Sequence, residues 1–167
     1  MIESLVKKNR SYRKFKQSHR IEEGLIKDLI DLTRFTASSR NLQPLKYLYS
    51  NHDSKNQKIF ETLKWAANLK NWSGPKQGER PSAYIIILND TSISQQFKKN
   101  FGADVGVAAQ TILLGAVQKG LGGCMLANIN RKKLRSNLNI SDQYQIELVL
   151  ALGKPDEEIK IDELNEK

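Results

Sequence analysis

The uninterrupted apolar run AYIIIL at positions 83–88 lies between Pro81 and the turn-forming sequence NDTS at 89–92. Its β-branched residues favour an extended chain, and a run without polar alternation fits a strand covered on both faces. The fold must therefore hold a strand in the middle of a sheet, with a packed layer above and below it. The run IELVLALG at 146–153, closed by Gly153 and Pro155, needs the same surroundings. Between the two, ADVGVAAQTILLGAVQKG at 103–120 reads as a helix. In it Ala103, Gly106, Ala108, Ala109, Gly115 and Ala116 accompany apolar residues on nearly every side. A helix apolar all round is buried, and small side chains let backbones approach closely. In a chain of 167 residues such a helix is most easily covered when a second subunit takes one face, so a homodimer is expected.

The other segments fit around this centre. EEGLIKDLIDLTRF sets Leu25, Ile26, Leu29, Ile30 and Leu32 near helical spacing, with Glu22 and Glu23 in the first turn where the helix dipole favours them. LKYLYSN at 45–51 reads as a short strand, and Asp53 to about Lys64 as a helix with Asp53 as its cap. NLKNWSGPKQGERPSA at 68–83 is rich in Gly, Pro and Ser without periodicity and reads as a long loop. LGGCMLA at 121–127 is a glycine turn feeding a strand, followed by a helix near RKKLRSNL. Helices interleaved with about four strands make an α/β or α+β sandwich, and the length fits a single domain over 1–167.

Composition narrows the function. With 27% charged and 39% hydrophobic residues the chain has an ordinary globular balance. No apolar run approaches the roughly 18 residues of a membrane span, and MIESLVKKNRS carries charges where a signal peptide has its apolar region. A cytoplasmic location with no membrane partner is expected. Cys124 is the single cysteine, so an intramolecular disulfide and a cysteine metal cage are excluded, and it reads as a packed thiol. His19 and His52 lack metal-ligand spacing and read as surface residues, so no metal site is expected. The G-x-S-x-G elbow, the G-x-x-x-x-G-K-[ST] phosphate loop and a G-x-G-x-x-G fingerprint after a first strand are all absent from the sequence. The net charge of +9 attracts anions such as phosphorylated cofactors or nucleic acid. The basic residues gather in KKNRSYRKFKQSHR and in NRKKLR, the second reading as solvated surface. Without an R-G-F type element or a dense interleaving of aromatics with the basic residues, nucleic acid is not expected as a partner.

Polar and glycine clusters are spread along the whole chain. RSYR at 10–13 is either an exposed basic turn or a pair of guanidinium forks, Arg10 and Arg13, with the Ser11 hydroxyl between them, aimed at phosphate or an electron-rich ring. SSRNLQP at 38–44 sets Ser38, Ser39, Arg40, Asn41 and Gln43 at the mouth of a strand, more donors than a turn needs. In GLGG, Gly120 suffices as a helix C-cap, and the further pair Gly122 and Gly123 would let a flat ring lie against the backbone. LGKP closes the last strand.

Taken in this order, the segments resemble the nitroreductase family of FMN-dependent oxidoreductases. The likeness rests on Arg10, Ser11 and Arg13, on ASSRNLQP, on the small-residue helix opened by DVGVAAQ, on GLGG and on the final strand with G-x-P. It implies an α+β three-layer sandwich, a central, mostly antiparallel sheet flanked by helices, in a homodimer with two FMN sites at the interface. Arg10, Ser11 and Arg13 would hold the phosphate, ribityl chain and pyrimidine edge. Ser38, Ser39 and Asn41 would reach in from the partner subunit, Gln43 would also bind the cofactor, and Gly122 and Gly123 would offer backbone donors near the reactive edge. NADH or NADPH would reduce the flavin in a ping-pong cycle, with a nitroaromatic, quinone or similar small molecule as electron acceptor. The cofactor carries that chemistry, so no catalytic side chain is assigned. A different reaction on the same flavin fold, or slow flavin sensing, are the alternatives. The chain departs from the family pattern at Asn9, where a basic residue is usual, at Ala37 in place of proline, and at Leu45 in place of an aromatic. A closing C-terminal arginine is missing, and Lys154, ahead of Lys160, is the replacement. Trp65 and Trp72 read as core or lid packing in preference to a substrate channel.

Overall fold

Both continuous apolar runs are central strands of one sheet. The computed structural model describes residues 1–66, 69, 72–95 and 101–162. Its strands are β1 (Leu45–Ser50), β2 (Ala83–Asp90), β3 (Gly122–Leu126) and β4 (Tyr144–Gly153), in the spatial order β1-β2-β4-β3. Every neighbouring pair is antiparallel, and a register shift between Ile87 and Leu88 breaks the β2–β4 ladder. All residues of β2 are buried, as a strand with both faces covered requires.

The two faces of the sheet sort the core. On one, Tyr84, Ile86, Leu88, Val149 and Ala151 pack with Phe15, Ile59, Trp65 and Leu134, beneath α3 (Asp53–Phe60) and α6 (Arg131–Leu138). On the other, Ala83, Ile85, Ile87, Leu150 and Leu152 pack with Ile26, Leu29, Val105, Ala109 and Ile112, from α2 (Glu23–Asp31) and α5 (Gly102–Gln118). The strand period of two sends alternate residues to the two layers. The expected α+β sandwich with helices on both sides of an antiparallel sheet is the architecture found.

Local differences have local causes. Helix α3 begins at Asp53, with His52 in the cap position and extended backbone, so Asp53 is the first helical residue and not the cap. The helix stops at Phe60, short of Lys64, because the Thr62 hydroxyl donates to the Ile59 carbonyl and Leu63 pairs with Ile129. The NDTS turn contains the short helix α4 (Thr91–Ser94), capped by the Asp90 carboxylate on the Ser92 N–H. Helix α1 (Ile2–Lys8) was not expected, since it buries no residue and shows no periodic core face. The NRKKLR segment is more than solvated surface. Arg131 donates to the Ile146 and Glu147 carbonyls, and Arg135 to those of Ile140 and Tyr144, fastening α6 to the start of β4. Within the 68–83 stretch, Asn68, Lys70 and Asn71 lie outside the described residues. Of the tryptophans, Trp65 is buried against Gly74 and the Phe60 ring, and Trp72 is partly buried against the same core. Among the described residues no helix is long and apolar enough to cross a membrane.

Candidate functional site

The basic segment after α1 runs along the end of the sheet. Ser11 bridges to Gly123, the Tyr12 N–H donates to the Gly123 carbonyl, and the Phe15 side chain is fully buried beside Gly153. Gly122 pairs with Gly153 across the β3–β4 ladder, and Lys154 follows directly. Arg10, Ser11, Arg13, Gly122, Gly123 and Lys154, widely separated in sequence, therefore meet at one end of one sheet. Arg10 folds back over α1, donating to the Asn9 and Val6 carbonyls, both at 2.8 Å. Arg13 donates to the Ser11 carbonyl, and the Lys154 ammonium lies 3.1 Å from the Gly120 carbonyl. The glycine pair is closely packed: a Cβ on Gly122 would stand 2.5 Å from the Tyr12 ring, and one on Gly123 2.5 Å from Leu113 Cδ2. At this end the Glu157 carboxylate accepts from the N–H groups of both Arg13 and Lys14. Burial pushes the Cys124 thiol up, with the nearby Arg13 guanidinium opposing the shift, so the thiol is packed and not activated.

The other polar set, Ser38, Ser39, Asn41 and Gln43, sits away from this end. The buried Asp104 carboxylate, in the first turn of α5, accepts from the Ser38 hydroxyl at 2.6 Å and the Ser39 N–H at 3.1 Å. Ser38 Oγ in turn accepts from the Gln43 N–H at 3.0 Å, and the Gln43 amide donates to Asn41 Oδ1 at 2.8 Å. Within this loop Arg40, Asn41 and Gln43 have φ of 55°, 55° and 48°. Non-glycine residues in the left-handed region cost on the order of 1 kcal/mol each, and such conformations cluster at functional sites. Behind the loop lies a cavity of about 180 Å³, with Thr33, Arg34, Lys46 and Tyr47 in its wall. Burial raises the Tyr47 phenol above its ordinary range, and the Asp104 charge adds to the shift.

Sequence reasoning did not find Asp104 or Glu157. An acidic residue opening an otherwise apolar helix was a visible signal for the first. For Glu157 the sequence carries no signal, since the amides it serves are set by the return of the chain after β4. His19 and His52 are exposed, and no group of metal-ligating side chains occurs among the described residues.

Fold and site together define an α+β sandwich protein with a basic sheet end and a strained serine–asparagine loop at opposite ends of one small-residue helix. The model described as "Nitroreductase family" matches residues 6–154, and the chain belongs to the nitroreductase family. MhqN of Bacillus subtilis (strain 168), provisionally named an NAD(P)H nitroreductase, is 24% identical over 187 residues, spanning 90% of this chain and 86% of the relative. A nitroreductase family protein from Streptococcus pneumoniae TIGR4 superimposes with a TM-score of 0.81 at 16% identity, over 99% of this chain and 96% of its own. An FMN-dependent nitroreductase from Clostridium difficile R20291 does so with a TM-score of 0.73 at 23% identity, over 98% and 92%.

Proposed function

We propose that this chain is an FMN-dependent oxidoreductase that works as a homodimer, with NADH or NADPH as electron donor and a nitroaromatic, quinone or similar small molecule as acceptor. The observation that carries the reading is the separation of the two polar sets along α5. The serine loop is bonded to the first turn of this 17-residue helix, and Lys154 to the carbonyl of Gly120 just beyond its last. At about 1.5 Å per residue the helix is about 25 Å long, so a single chain does not wrap both sets around one cofactor. A two-fold axis crossing α5 lays two copies antiparallel and brings each loop to the basic end of the other. Ala103, Gly106, Val107 and Gln110 form an exposed stripe on α5 suited to that approach. Phe35, 86% exposed, is a large apolar side chain left in water by one chain alone.

The donor set fits FMN. The Glu157 carboxylate on two adjacent N–H groups is an anionic oxygen already received at this bend. In this reading Arg10, Ser11 and Arg13 hold the phosphate, ribityl chain and pyrimidine edge, and Lys154 stands in for the closing arginine. Ser38, Ser39, Asn41 and Gln43 reach in from the second subunit, while Gly122 and Gly123, whose missing side chains make room for Tyr12 and Leu113, present backbone near the ring. When bound, FMN supplies the capacity to accept hydride from the nicotinamide and pass electrons to the acceptor. The protein's part is orientation and positive charge, with guanidinium and ammonium groups favouring the anionic form of whatever they touch.

The visible spectrum of purified protein tests this directly. The protein should retain FMN or take it up, and the flavin band should bleach with NADH or NADPH without oxygen. A colourless protein that cannot be reconstituted sinks the reading. Arg13→Ala should weaken FMN binding by about tenfold to a hundredfold, the range of one charge-assisted hydrogen bond. The shared site has its own test in mixed dimers. Arg13→Ala and Asn41→Ala subunits, each poor alone, should recover one good flavin site per dimer when combined, because one of the two sites then draws only on unaltered residues. A mixture with no recovery would place both sets within one chain.

A further inference from the structure

We infer that Asp104 is a positioning residue whose buried carboxylate fixes the Ser38–Gln43 loop in the shape it presents to the neighbouring subunit; the inference rests on the flavin reading above. Asp104 is 7% exposed, and its Oδ2 takes both the Ser38 hydroxyl and the Ser39 N–H. The hold continues through Ser38 Oγ to the Gln43 N–H and from the Gln43 amide to Asn41 Oδ1. A continuous run of hydrogen bonds thus leads from α5 to the exposed tip of the loop.

Inside the loop the Asn41 N–H donates to the Ser38 carbonyl at 2.9 Å and the Leu42 N–H to the Ser39 carbonyl at 3.1 Å, turns that do not tie it to the rest of the fold. Ala37, Ser38 and Gln43 border a cavity of about 180 Å³, and Asn41 and Gln43 are exposed. Three left-handed residues in so short a segment do not persist on local preference. The carboxylate is the buried anchor that over-determines the conformation.

The arrangement also sorts the loop's donors. Ser38 gives its one hydroxyl hydrogen to Asp104, so it meets a ligand only as an acceptor. Asn41, whose carbonyl oxygen accepts from the Gln43 amide, keeps its own NH2 as a donor. Asn41 is therefore one of the side-chain donors of the loop, and Asp104 positions it indirectly through Ser38 and Gln43.

Two variants at Asp104, with amide hydrogen exchange and FMN titration as readouts, test the inference. Asp104→Asn removes the charge but keeps an oxygen able to accept from both Ser38 and Ser39, so it separates a charge effect on the helix end from the hydrogen bonds. Expected for Asp104→Ala are exchange at Ser39 and Gln43 faster by about tenfold or more and FMN binding weaker by about tenfold to a hundredfold. Asp104→Asn, which keeps one oxygen for both bonds but loses their charge assistance, should fall between wild type and Asp104→Ala in both readouts. Should Asp104→Ala fail to fold, Ser38→Ala breaks the same run of bonds without touching α5 and should speed exchange at Gln43. A folded Asp104→Ala protein with wild-type exchange and wild-type FMN affinity would overturn the inference. Wild type that takes no FMN would overturn the flavin reading and the loop's role in it, while exchange still reports whether Asp104 holds the loop.

Discussion

Phe15→Ala should destabilise the protein by about 3–5 kcal/mol, the largest loss expected from a single truncation here. The ring is fully buried and lies against Gly153 so closely that a Cβ on that glycine would stand 2.7 Å from Phe15 Cδ1. The backbone at this point is tied on both sides, with the Phe15 N–H donating to the Glu79 carbonyl at 2.9 Å and a bridge to Pro155. Surroundings pinned this way cannot collapse into the space the ring leaves, so the cavity term adds to the lost transfer free energy. For a chain of this size such a loss lowers Tm by roughly 6–20 °C. Urea or thermal unfolding checks it, and a cost below about 1 kcal/mol would mean that the ring does not anchor the segment. Because Arg10, Ser11 and Arg13 hang from the same anchor, FMN retention should fall in parallel.

Gly123→Ala should cost about 2–3 kcal/mol through overpacking. An added methyl would lie 2.5 Å from Leu113 Cδ2, 2.7 Å from the Ala151 carbonyl oxygen and 2.9 Å from Leu152 Cδ2. The leucines can turn, but the carbonyl belongs to the central strand β4 and cannot move without disturbing the β2–β4 ladder. Gly106→Ala is the matched control, with nothing within 4 Å of the added carbon in one chain. In an isolated subunit that change should gain about 0.5–1 kcal/mol from helix propensity. In a dimer packed along α5 it should instead weaken association, which sedimentation at several concentrations would reveal. A Gly123→Ala protein as stable as wild type would show that β4 yields more readily than a central strand should.

What could be read in the sequence was what local pattern alone determines. β2 and β4 were visible because burial on both faces leaves an uninterrupted apolar run, and α5 because its small residues do not suit a solvent-facing helix. The Ser38–Gln43 loop and the Arg10–Arg13 segment stood out through donor density. The cap of α3 was misassigned by one residue because His52 and Asp53 are adjacent and backbone angles decide between them. Asp104 was in plain view, but its partner Ser38 is 66 positions away and only the tertiary fold brings them together. Glu157 reaches Arg13 over 144 positions. Arg131 and Arg135 looked like surface charge because a backbone carbonyl, their actual partner, leaves no trace in a sequence.

The strand order has a kinetic consequence. β2 and β4 are neighbours at the middle of the sheet, yet the whole stretch from Thr91 to Gln143 is looped out between them. The pairing that makes the core must close that loop before it is rewarded, and topologies dominated by such non-local pairings fold slowly for their size. Until closure, α5 has no finished sheet to dock on, and its apolar surface faces solvent together with the unpaired edges of β2. Refolding from denaturant should therefore pass through an association-prone phase whose yield falls as protein concentration rises.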